Sequence, residues 1–100
     1  MLFAFSVAPS VSDESGSVSA AEADAIKVVR DSGLPYELTS MFTTIEGEWD
    51  EVMPVIKDAC DAVAAHGPRV SLVLKADLRP GYAGQLQSKV DRVRQHLDQP

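Results

Sequence analysis

Phe3, Phe5 and Val7 alternate with Leu2, Ala4, Ser6 and Ala8 at the start of the chain, a period of two that predicts a strand over residues 2–8. The first set forms a core face, and the second, small and mildly apolar, forms a face of its own. Pro9 ends the strand and a serine-rich polar connection follows to Val18. Ser19 with Glu22 three positions on has the capping-box pattern, which predicts a helix from there to about Ser32 with Ile26 and Val29 inward. Gly33 and Pro35 stop it. Strand formers are then dense from Tyr36 to Ile45, so two strands joined by a tight turn near Ser40 to Phe42 are expected. Gly47 supplies a break and Asp50 a cap for a second helix, whose stripe is Val52, Ile56, Ala59 and Val63. Pro54 falls early enough in that helix for its missing N–H to cost little. His66-Gly67-Pro68 closes it. From Arg69 to Leu78 the period of two returns, with Val70, Leu72, Leu74 and Ala76 opposite Ser71, Val73, Lys75 and Asp77. Arg79-Pro80-Gly81 breaks this strand, and from about Gly84 the stripe Leu86, Val90, Val93 and Leu97 predicts a last helix.

The order β-α-β-β-α-β-α implies an α+β fold: a ferredoxin-like βαββαβ sandwich with an antiparallel four-stranded sheet plus a C-terminal helix, in one domain over residues 1–100. Right-handed crossovers put the first and third strands at the centre, beside the fourth and second respectively. With the first two helices on one face, the other face is left with Leu2, Ala4, Ser6, Ala8, Ser71, Val73, Lys75, Asp77 and, by parity, Thr44 and Glu46. That surface is too apolar to stay wet and too polar to be core. The last helix can shield part of it, but burial against the same face of a second copy is the economical solution, so a dimer at least is expected.

Composition narrows the partners more than the fold. The chain is 45% hydrophobic and 24% charged, as in ordinary soluble domains. Its net charge of −6 opposes binding to phosphate backbones or anionic lipid, so neither nucleic acid nor membrane is an expected partner. The charge is uneven: Asp13, Glu14, Glu22 and Asp24 precede the first base, Lys27, whereas most bases lie after Gly67. Cys60 stands alone, which excludes an internal disulfide and favours a reducing, cytoplasmic setting. Residues 1–9 are apolar but lack a positive flank and are too short for a signal peptide or a membrane span.

Candidate chemistry concentrates on the uncovered face. If Ala4 lies between Glu46 and Lys75 on its neighbouring strands, the two charges flank a shallow groove roughly 10 Å wide. A planar heterocycle fits there, with Glu46 accepting from an amine and the hydroxyls of Thr43, Thr44 or Ser6 bonding other ring atoms. Alternatively, Glu46 and Lys75 pair across a subunit contact, and Thr43 and Thr44 are plain β-branched strand residues. Ser17 and Ser19 stand at a helix N-terminus that suits an anion, or Ser19 is simply a cap. Asp77 and Arg79 close the fourth strand as ligand contacts or as partners of a nearby helix. Cys60 reads as a buried, unreactive thiol, and His66 and His96 as exposed residues without metal-ligand spacing. Trp49 is an anchor at the strand-to-helix corner, and Met41 and Phe42 at the hairpin tip line a pocket or meet another subunit. No nucleophile triad, phosphate loop or dinucleotide fingerprint is present. A small enzyme of the dimeric ferredoxin-like kind would need Glu46 or Asp77 as its base.

Three separated motifs carry a family resemblance: Tyr36-Glu-Leu-Thr-Ser-Met-Phe-Thr-Thr-Ile-Glu-Gly-Glu-Trp-Asp-Glu-Val52, Ser17-Val18-Ser19 with Asp31-Ser32-Gly33-Leu34, and Lys75-Ala-Asp-Leu-Arg79. From Phe3 to Leu97 the chain resembles the small thiamine-binding-protein family, the YkoF-like group. Members often have a Gly where this chain has Phe42, a change that narrows any pocket at that point. The resemblance implies a ferredoxin-like domain that pairs sheet to sheet as a dimer, often a tetramer, and binds thiamine or its hydroxymethylpyrimidine precursor near a subunit contact. With no catalytic, metal or dinucleotide motif in the sequence, neither enzyme activity nor a cofactor is expected. The expected ligand-binding residues are thus Ser6, Ser19, Thr43, Thr44, Glu46, Lys75 and Asp77. The rival reading is a structural or regulatory homo-oligomer without a small ligand.

Overall fold

A computed structural model describes residues 1–10 and 18–99 of the chain. Its elements are β1 (Leu2–Pro9), α1 (Ser19–Asp31), β2 (Tyr36–Leu38), β3 (Thr43–Glu46), α2 (Trp49–Ala64), β4 (Val70–Asp77) and α3 (Gln85–Leu97). The four strands form one antiparallel sheet in the order β2-β3-β1-β4. The architecture is the ferredoxin-like sandwich expected from the alternation, with β1 and β3 central. The serine-rich connection over residues 11–17, Ser17 included, lies outside the described residues.

Alternation decides which side chains enter the core. Phe3, Phe5 and Val7 of β1 and Ile45 of β3 are all buried against the helices, where Ala21, Ala25 and Val29 of α1 meet Val52, Ile56, Ala59 and Val63 of α2. On α1 the inward stripe is therefore 21, 25 and 29, a spacing of four that leaves Ile26 on the flank of the helix, half-buried. Ile26 was expected inside. Small residues at 21 and 25 let α1 approach the sheet closely, and Ala59 does the same for α2.

Both helix starts depart from their expected caps. Val18, not Ser19, occupies the N-cap of α1, and Ser19 is its first helical residue, so the box expected between Ser19 and Glu22 is not formed. For α2 the cap is Glu48 rather than Asp50, and the Glu48 N–H donates to Glu51 Oε1 over 3.0 Å. Glu48 is extended, with ψ of 160°, because the chain arrives from a strand one residue after Gly47. Gly47 itself admits no side chain cheaply: a Cβ there would stand 2.8 Å from Val52 Cγ2 in the core. Trp49 anchors this corner as expected, its ring meeting that of Phe3 edge-on, with centroids 6.0 Å apart and planes at 62°.

The register corrects one expectation that bears on the site. Ala4 pairs with Thr44 on β3 and Lys75 on β4, whereas Glu46 lies opposite Leu2, whose other neighbour is Asp77. Glu46 and Lys75 thus belong to different rows, offset by two residues or roughly 7 Å along the strands. They do not flank one groove. The row through Ala4 reads Glu37, Thr44, Ala4, Lys75 from β2 to β4.

Candidate functional site

On the face opposite α1 and α2 the sheet is covered in part by α3, which is held by the row through Leu2. The buried Glu46 carboxylate accepts from the Gln85 N–H over 2.7 Å, and one turn later Lys89 pairs with Asp77. Gln85 and Lys89 share a face of the helix by their spacing of four. Glu46 therefore serves as the acceptor that the start of α3 lacks in its own sequence, where the preceding residue is Gly84 with φ of 70°. The Lys89 ammonium holds the Asp77 carboxyl below its ordinary range. Of the two residues expected as partners of a nearby helix, Asp77 meets α3 in this way, whereas Arg79 lies over the Tyr82 ring, 3.5 Å from its centroid.

Between α3 and the sheet runs an open groove of about 460 Å³, lined by Leu2, Glu37 and Thr44 on one side and by Leu86, Lys89, Val90, Val93, Arg94 and Leu97 on the other. Its walls are mostly apolar. Val93 and Leu97 of its helix wall are 57% and 76% exposed, so α3 does not bury its own stripe on this sheet. Leu72 and Val73 on β4, an edge strand, are exposed as well.

A second concavity lies at the hairpin. β1 pairs with β4 from Leu2 to Pro9 but with β3 only as far as Phe5, opposite Thr43. Beyond that point the β2–β3 turn peels away from β1 and leaves a cleft of about 50 Å³ bounded by Phe5, Ser6 and Val7, by the turn from Leu38 to Thr43, and by Glu22, Ala25 and Ile26 of α1. The turn is closed on itself: Thr39 N–H and Oγ1 both donate to the Phe42 carbonyl, and Phe42 N–H donates to Thr39 Oγ1. Thr43 is 4% exposed, yet among the described residues its hydroxyl takes part in no hydrogen bond. The Thr43 hydroxyl is not among the fully buried unpartnered atoms, so it is accessible from the cleft, where a ligand can bond it.

The expected site residues thus separate into three places. Thr43 and Ser6 line the hairpin cleft; Thr44 lines the groove under α3, with Lys75 exposed in the same row; and Glu46 and Asp77 tether α3. Thr43 and Thr44 point to opposite faces because neighbours on a strand must. Ser19 lies at the start of α1 and lines neither concavity. Glu22, Ile26 and Thr39 line the cleft without having been expected there. Their shared signal was the spacing of 22 and 26, which puts an acid and an apolar side chain on one helix face.

The remaining polar groups carry little chemistry. Cys60 is half-buried rather than buried, and burial, reinforced by Asp61, pushes its thiol up, which disfavours the thiolate. His66 Nε2 lies 2.6 Å from Asp24 Oδ2, joining the end of α2 to α1. Among the described residues no three His, Cys, Asp or Glu side chains could hold a metal ion, and no helix is long and apolar enough to cross a membrane.

Against known proteins, the family model described as "Thiamine-binding protein" matches residues 3–94. A UPF0045 protein of Mycobacterium bovis, Mb1933, is 48% identical over 100% of this chain and 97% of its own. Among solved structures, a domain of unknown function, DUF77, from Bacillus cereus superposes with a TM-score of 0.79 at 33% identity, covering 95% of this chain and 90% of that one. A Thermotoga maritima protein provisionally described as acting in thiamine biosynthesis or salvage superposes with a TM-score of 0.77 at 28% identity, over 93% of this chain and 97% of that one.

Proposed function

The chain belongs to the thiamine-binding protein family, and from that premise we propose that it binds thiamine or the hydroxymethylpyrimidine precursor, without catalysis and without a cofactor. The observation that carries the reading is the hairpin cleft, where the unbonded Thr43 hydroxyl sits among Phe5, Ile26 and Phe42. Apolar walls with a few convergent polar groups are what a flat heterocycle needs. At about 50 Å³ the cleft admits the edge of a ring, whereas a cavity of roughly 150 Å³ encloses a whole one. Entry of the full pyrimidine therefore displaces the hairpin tip, where Met41 is 74% exposed and packs little against the rest of the fold. Phe42 takes up room in the cleft that a smaller residue would leave open.

Calorimetric titration with thiamine and with hydroxymethylpyrimidine tests this. Saturable binding of either is expected, and Thr43→Val, which keeps the shape and removes the hydroxyl, should weaken it about three- to tenfold, the worth of one neutral hydrogen bond. Absence of binding by the wild type to both compounds would overturn the reading. Unchanged affinity in Thr43→Val would move the site out of this cleft.

Self-association is the second half of the proposal and rests on a different surface. The stripe of α3, with Val73 on the same face of the sheet, forms apolar surface that a second copy can cover, most simply about a two-fold axis. Light scattering coupled to gel filtration should give a mass of at least twice 10.7 kDa. Val93→Glu with Leu97→Glu should shift it to the monomer, and a wild type that runs as a monomer at tens of micromolar would overturn this part. The cytoplasmic placement belongs to the same proposal, on the strength of the lone Cys60.

A further inference from the structure

Among the described residues that line the hairpin cleft, Glu22 is the one that carries a charge, and it is negative. Its position follows from α1: Glu22, Ala25 and Ile26 share a helix face, so the carboxylate stands at the mouth while the other two form apolar wall. Nothing among the described residues has claimed it. The box with Ser19 is not formed, and among the described residues the Glu22 side chain has neither a hydrogen bond nor an ion pair. As an acid in the first turn it is favoured by the helix dipole, which does not by itself aim it at the cleft.

No lysine or arginine among the described residues lines the cleft, and neither do Ser19, Ala20 or Ala21, whose amides open α1. A phosphate site needs one of those two sources of positive charge. A chain of net charge −6 adds a field of the same sign as Glu22.

We infer that Glu22 makes the cleft selective for a cationic, unphosphorylated heterocycle over both a neutral ring and a phosphate ester of the same compound. The inference rests on the binding function proposed above and adds its charge specificity. Thiamine carries a permanent thiazolium charge, hydroxymethylpyrimidine is neutral near pH 7, and thiamine monophosphate adds an anion to the same frame. Those three compounds separate charge from shape.

The test is calorimetry of wild type and Glu22→Gln against all three, at low and at raised salt. Gln keeps the length and an acceptor oxygen and removes the charge at an exposed position, so the fold is retained, as far-UV circular dichroism will verify. Wild type is expected to bind thiamine more tightly than its monophosphate. In Glu22→Gln the dissociation constant for thiamine should rise about fivefold at low ionic strength, the scale of one partly exposed ion pair, while that for hydroxymethylpyrimidine stays within about twofold. Added salt should weaken thiamine binding to the wild type and leave the variant nearly unaffected. Equal weakening of thiamine and hydroxymethylpyrimidine, no change in either, or a monophosphate bound as tightly as thiamine would each overturn the charge specificity while leaving the binding function intact. A wild type that binds none of the three would overturn both.

Discussion

Replacing Phe3 by alanine is expected to destabilise the fold by about 3–5 kcal/mol, a large part of the roughly 5–15 kcal/mol that holds a domain of this size together. Phe3 is fully buried in the second position of a central strand, between Ile45 on β3 and Ala76 on β4, and under the edge of Trp49. Its ring thus touches the sheet on both sides and the first residue of α2. Ala76, on the exposed edge strand, is too small to move into the space, and the adjoining β3 is four residues long and fixed by pairing on both sides. The cavity would persist rather than collapse, which places the cost towards the upper end of that range. Urea unfolding followed by the fluorescence of Trp49, the single tryptophan, should show a lower midpoint at an unchanged slope. Trp49→Leu alone, which removes the fluorophore and is followed with the other variants by far-UV circular dichroism, should cost less because Trp49 is 47% exposed, and the double variant should recover about 0.5–1.5 kcal/mol relative to the sum, the worth of the edge-on pair. A midpoint shift equivalent to less than 1 kcal/mol for Phe3→Ala would show that the core is organised around another residue.

The position of Phe3 is the part of the fold most legible in the sequence, since a period of two across residues 2–8 sorts side chains between faces whatever the register. Strand order followed from connection handedness for the same reason: it depends on the succession of elements and not on single contacts. Register is different. Whether Ala4 meets Thr44 or Glu46 depends on how many residues the hairpin turn consumes, and a shift by two keeps every side chain on its own face, so the hydrophobic pattern cannot choose between them. The turn from Thr39 to Phe42, closed by three hydrogen bonds of its own, makes that choice. Thr43 and Thr44 illustrate the opposite error. Their adjacency on a strand already placed them on different faces, so a single site could not use both side chains.

The role of Glu46 was illegible for want of a local cue, as its partner is 39 residues away. One indirect signal existed: Ala83-Gly84-Gln85 offers no side-chain cap for the helix that follows, so an acceptor had to come from elsewhere in the fold. A carboxylate ending a strand on the face over which that helix must lie was a candidate. The same row supplies Asp77, and sequence alternation had placed both acids on the uncovered face without showing that they serve the chain's own last helix.

Removing the Glu46 side chain is therefore expected to loosen α3 specifically. Glu46→Ala leaves the Gln85 N–H without its acceptor in a site that is 7% exposed, at a cost of about 1–3 kcal/mol. Because α3 otherwise meets the sheet along a half-open groove, most of that cost should appear as local opening of the helix. Amide hydrogen exchange of residues 85–90 should speed up at least tenfold, while core amides such as those of Phe5 and Ile45 change only as far as global stability does. Glu46→Gln retains an acceptor oxygen and should lose only the interaction of charge with the helix dipole, about 0.3–1 kcal/mol. The second tether, Lys89 with Asp77, adds a pH dependence of definite sign. The Asp77 carboxyl lies lower in the folded chain than its unfolded value of roughly 3.9, so the pair's contribution is present in full above that value and is lost as pH falls through the folded one. In Glu46→Ala, where this pair carries more of the attachment, α3 should come loose on acidification below about pH 4 before the core unfolds, and Asp77→Asn should produce the same loosening at neutral pH. Protection of residues 85–90 that is unchanged in Glu46→Ala at neutral pH would show that apolar contact alone seats the helix.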